Sequence, residues 1–137
     1  MGQILLAAGG LVVLMMGTLH GVLTLRDVFT PRAFTPTDDA VRLAMQGTRV
    51  AFSRRLNLWK AWLGFNLSHS LGVVLFGGLL LLASVHFAAF AASPLLQALC
   101  IGVAAAYFVV SLCFWFRGPT LGSGFSLLCI LAAVVVS

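Results

Sequence analysis

The sequence predicts an all-α fold, an integral membrane four-helix bundle with a short interfacial helix in its first loop. Three observations carry that reading. Of 137 residues, 61% are hydrophobic and 8% charged, with a mean hydropathy of +1.11, whereas a water-soluble domain carries roughly a quarter charged residues. Four apolar runs, at about 3–25, 58–86, 94–116 and 120–137, each approach or exceed the length that crosses the hydrocarbon at about 1.5 Å per residue. The polar residues, finally, are gathered mainly in one loop, 26–57. The chain reads as one membrane domain.

The run 3–25 has no basic segment before it and no small-residue cleavage site closing a short apolar core, so it reads as a true span and not as a signal peptide. The loop after it holds Pro31 and Pro36, all three acids (Asp27, Asp38, Asp39) and six of the eight basic residues. Within it, Thr35 or Thr37 ahead of Asp38 and Asp39 predicts a helix start, because hydroxyls cap free N–H groups and carboxylates suit the positive end of the dipole. A short helix to about Gly47 follows, with Ala40, Val41, Ala44 and Met45 on one side, as suits a segment at the headgroup boundary. Trp59, Lys60 and Trp62 introduce the second span as interface residues. The uncharged stretch SVHFAAFAASP ends at Pro94, which opens the third span. Arg117, Gly118 and Pro119 break that span before the fourth begins at Thr120.

All eight basic residues (Arg26, Arg32, Arg42, Arg49, Arg54, Arg55, Lys60, Arg117) lie beside the first or third connection. The positive-inside rule therefore puts both termini outside, periplasmic in a bacterial inner (plasma) membrane. An even number of spans independently requires the ends to share a side. The net charge of +5 is thus a topology signal, since a nucleic-acid binder spreads its cations over an exposed face. Cys100, Cys113 and Cys129 sit within apolar runs without CxxC spacing and read as core residues, giving no disulfide framework or zinc knuckle. Gly17xxxGly21 and Gly64xxxSer68xxxGly72 are small-residue faces for close helix packing, within the chain or between copies.

Polar side chains inside the spans carry the functional reading, because such groups are costly in lipid and mark either a site or an interhelical bond. At about 100° per residue, Val13, Met16, Gly17, His20, Thr24 and Asp27 share a face of the first helix. Trp59, Trp62, Asn66, His69 and Ser70 share one on the second, and Gln97, Cys100, Ala104, Tyr107, Ser111 and Trp115 on the third. Counted inward from the basic boundary, His20, His69, Tyr107 and Ser111 lie at roughly 9–15 Å, with Ser123 and Ser126 at a similar level. This predicts a polar cluster in the cytoplasmic half, with His20, Trp62, Asn66, His69, Ser70, Tyr107 and Ser111 as ligand-binding residues.

Several chemistries stay open for that cluster. Its members hydrogen-bond one another and merely join helices, or they line a pocket for a quinone, lipid or isoprenoid, or His20 and His69 ligate haem or a transition metal. Hydrolytic zinc is disfavoured for want of a third ligand at that depth, and a serine hydrolase for want of a GxSxG elbow. No helix has the Gly/Pro break typical of a transporter site.

The segments GxLHGxxTLRD, TPTDDAVRLAMQ and NLWKAWLGFNLSHSLG resemble an uncharacterised family of small bacterial four-span integral membrane proteins. The resemblance covers most of the chain and implies the fold, with His20, Asn66 and His69 in shared motifs; it implies no reaction. The expectation is a membrane protein that binds a hydrophobic or lipid-like small molecule, or acts as an accessory subunit. The alternative is a redox or haem-dependent enzyme. Its expected partners are membrane lipids, the lipid-like ligand and a second copy or larger membrane complex, and not nucleic acid.

Overall fold

The computed structural model describes residues 1–137, as six helices and one two-stranded sheet. Four helices are long and apolar enough to cross a membrane: α1 (Gly2–Phe29), α3 (Leu58–Val85), α5 (Pro94–Phe114) and α6 (Arg117–Val135). Between them lie α2 (Asp39–Gly47), β1 (Arg49–Val50), β2 (Ser53–Asn57) and α4 (Phe87–Ala91). The fold is all-α apart from one small hairpin.

Several element boundaries differ from those the residues predict, each for a local reason. α1 continues through Arg26 and Asp27 to Phe29, because nothing interrupts it before Pro31, whose ring pushes the preceding residue out of the helical region. α2 is capped by Asp38, whose carboxylate accepts from the Ala40 N–H at 2.8 Å, and not by either threonine. The Thr35 hydroxyl is already donated to Asp27 Oδ2 at 3.2 Å. Arg117, Gly118 and Pro119 open α6 instead of preceding it, since proline within a first turn lacks only an N–H that had no helical partner. Pro94 does open α5, behind Ser93, whose hydroxyl caps the Leu96 N–H at 3.3 Å. The hairpin and α4 lie in segments whose sequence reads as loop.

Contacts divide the chain into two units, Met1–Gly17 with Val73–Ser137, and Thr18–Gly72. The larger unit is a helical assembly around Leu6, Val13, Phe76, Leu80, Ala83, Phe90, Cys100, Ala104, Ile130 and Ala133. α5 and α6 pack on one another and are joined by Trp115 and Phe116 alone. Here α1 and α3 approach backbone to backbone: a Cβ on Gly77 would stand 2.6 Å from the Leu14 nitrogen, and one on Gly10 would stand 3.1 Å from the Gly77 carbonyl oxygen. Only glycine fits at both.

The same unit also turns many large apolar side chains outward. Ile4 is 74% exposed and Leu121 72%, whereas small or polar Ala104, Cys100 and Ser126 are buried.

The smaller unit holds the end of α1, the loop with α2 and the hairpin, and the start of α3. β1 and β2 pair antiparallel, with Arg49 opposite Asn57 and Val50 opposite Ser53. Their turn presents Phe52 to the outside, flanked by Arg49, Arg54 and Arg55.

Candidate functional site

Within the smaller unit, side chains from α1, α3 and the loop form a continuous hydrogen-bonded circuit. It begins at Asp27, 1% exposed, which sits within the last turn of α1 where the chain must reverse. Its Oδ1 accepts the backbone N–H groups of Arg32 at 2.9 Å and Ala33 at 2.8 Å, and its Oδ2 that of Phe34 at 2.6 Å. One carboxylate thus replaces the helix bonds that three consecutive loop amides would otherwise lack.

That fixed loop delivers Phe34 onto the first histidine. The Phe34 and His20 rings lie 4.4 Å apart between centroids, tilted by 36°. The Phe34 carbonyl accepts the indole N–H of Trp62 at 2.8 Å. One turn further along α3, the buried Asn66 donates its side-chain N–H to the Trp62 carbonyl at 2.8 Å. Its other atom, Oδ1, faces His20 Nε2 at 3.1 Å. Because the amide nitrogen is committed to Trp62, the oxygen is the acceptor towards the imidazole, and Nε2 of neutral His20 carries the proton. Thr24, fully buried, closes this end by donating to the His20 carbonyl at 2.9 Å.

His69 stands beside this circuit. Its ring centroid is 5.4 Å from that of His20, at 72°, and 6.3 Å from that of Phe65, stacked at 13°. Both imidazoles are half-buried, and Phe65 and Trp62 are partly exposed. The result is a pair of imidazoles on two neighbouring helices, bounded by Phe34, Trp62 and Phe65.

His20, Trp62, Asn66 and His69 are therefore brought together. Ser70 lies in the same unit, 5% exposed, with its hydroxyl donated to the Leu67 carbonyl at 2.9 Å and resting where a Cβ on Gly21 would come within 3.0 Å. Tyr107 and Ser111 belong to the larger unit. There Tyr107 faces Phe76, centroids 6.2 Å apart, while the Ser111 hydroxyl meets the Phe108 carbonyl at 2.7 Å and the Ser123 hydroxyl at 3.0 Å. No group of three or more His, Cys, Asp and Glu side chains is placed to hold a metal ion.

Sequence reasoning missed Phe34 as a wall and Asp27 as the organiser of the loop. The signal for Phe34 was present: it is a lone large apolar residue between Pro31 and Pro36 in an otherwise polar stretch. For Asp27 the helix face was legible, but the three amides it gathers depend on a turn that no periodicity encodes.

The chain matches no known protein-family model, no curated protein and no solved structure.

Proposed function

We propose that this chain is a multi-pass protein of the bacterial inner membrane, with both termini on the periplasmic side, and that it binds a hydrophobic or lipid-like small molecule at the His20–His69 pair. The outward apolar surface of the larger unit and the gathering of basic residues beside two of the three connections support the membrane reading. Kinship with the small four-span proteins whose GFNLSHSLG segment it resembles belongs to the same proposal.

The binding reading rests on one observation: two half-buried imidazoles stand 5.4 Å apart on separate helices, one of them held in a single tautomer by Asn66. Sites between bundle helices combine apolar walls with a few fixed polar groups. Here Phe34, Trp62 and Phe65 are the walls; the Nε2 proton of His20 is given to Asn66, so His69 is the imidazole that a carbonyl or hydroxyl of the ligand would meet.

The test is organic extraction and mass spectrometry of the protein purified in a non-phospholipid detergent, beside His20→Ala and His69→Ala. A lipid-like species retained by the parent and lost from both variants supports the reading. Identical extracts from all three overturn it, and the cluster then serves only to join α1 and α3. A Soret band in the same preparation would assign the imidazoles to haem instead.

A further inference from the structure

A cavity of about 300 Å³ lies in the loop and is lined by Pro31, Arg32, Thr35, Pro36, Thr37, Asp39 and Arg42. Its charged groups are two guanidinium ions and one carboxylate, so its lining is net cationic. Arg32 donates its backbone N–H to Asp27 but its guanidinium makes no bond within the chain, and the Thr37 hydroxyl likewise has no partner. Arg42 places Nε at 3.3 Å and one terminal nitrogen at 2.9 Å from the same Asp39 oxygen, which leaves most of its five N–H donors for another acceptor.

The walls are fixed, because the loop segment that carries Arg32 and Thr35 is held by the buried Asp27 carboxylate and the two prolines restrict the backbone. Two guanidinium-bearing residues and a hydroxyl lining one small cavity match the several acceptor oxygens of a phosphate.

We infer that this cavity binds a phosphate group, as carried by a phospholipid headgroup or by inorganic phosphate. The site is distinct from the histidine pair and stands or falls independently of it. Val28 and Phe29, both exposed at the end of α1 and three to four residues before Arg32, would lie beside the acyl chains of a lipid bound there. The Asp39 carboxylate opposes the anion and sets a limit on affinity.

The full chain in maltoside detergent is titrated with dioctanoyl phosphatidic acid, with inorganic phosphate and with dioctanoylglycerol, which lacks the phosphate, while binding is followed by calorimetry. Arg32→Gln and Arg42→Gln should each weaken binding of the phosphatidic acid about tenfold, the effect of losing a charge-assisted hydrogen bond. Asp39→Asn should tighten it about threefold, as relief of an exposed charge interaction. Arg54→Gln, an equal charge change outside the cavity, should leave it unaltered. Competition by inorganic phosphate assigns the site to free phosphate, and its absence to the lipid headgroup. The inference is overturned if neither phosphate compound binds, if dioctanoylglycerol binds as tightly as phosphatidic acid, or if Arg54→Gln weakens binding as much as Arg32→Gln. A gain on Asp39→Asn cannot arise from misfolding, so it guards against a loss caused by an unstable arginine variant.

Discussion

The larger and smaller units are held by different physics. In the larger one, α1 and α3 meet through glycine, with Gly77 against the Leu14 backbone and Gly10 against Leu80 and the Gly77 carbonyl. In the smaller one, the same two helices are tied by Asn66 to His20, and α3 is tied to the loop by Trp62. Where backbones come this close, steric fit decides. Near a polar boundary an irregular loop has amides to satisfy, so directional bonds decide.

Substitutions that enlarge Gly10 or Gly77 should therefore be felt in the larger unit, and those that delete the bonds of Asp27, Trp62 or Asn66 in the smaller. The largest effect is expected for Gly77→Leu, which forces side-chain atoms into the Leu14 backbone and should cost about 3 kcal/mol or more, measured by reversible unfolding in mixed micelles. Gly64→Ala is its control. Nothing lies within 4 Å of the added Cβ, and the change should stay within about 0.5 kcal/mol. Equal losses for the two would show that the steric account of the larger unit is wrong.

Next comes Asp27→Asn, which keeps the shape but replaces one acceptor oxygen with a donor facing other donors. A loss of about 2 kcal/mol is expected, with faster hydrogen exchange confined to the amides of Arg32, Ala33 and Phe34. Exchange that rises throughout α1 would contradict a local role. Trp62→Phe retains the ring while removing the bond to the Phe34 carbonyl, and should cost about 1 kcal/mol. Asn66→Ala should bring a comparable loss, about 0.6–1.7 kcal/mol, the average to the maximum for bonds between helices in membranes. It should also broaden the His20 imidazole resonances as the ring loses its fixed tautomer, and sharp resonances would argue against Asn66 as the orienting group.

How much of this was legible in the sequence follows from the same division. Helix existence was plain because apolar length alone specifies it, and the meeting of His20, Asn66 and His69 followed from face and depth counting. The caps were less accessible. Asp38 and Thr37 are both good N-cap residues, and the choice between them turns on the loop path that Asp27 imposes. The hairpin at Arg49–Asn57 has charged residues on strands too short for alternation to register. Phe34 reaches His20 only through a fold-back of the chain, which leaves no periodic trace.

The seam at Gly10 and Gly77 also bears on biosynthesis. The first helix leaves the ribosome long before its mate exists, because the whole loop and more than half of α3 must be translated in between. During that interval its narrow glycine groove has no mate to cover it. A chain stalled before Gly77 would keep that groove uncovered, a surface that the finished fold hides.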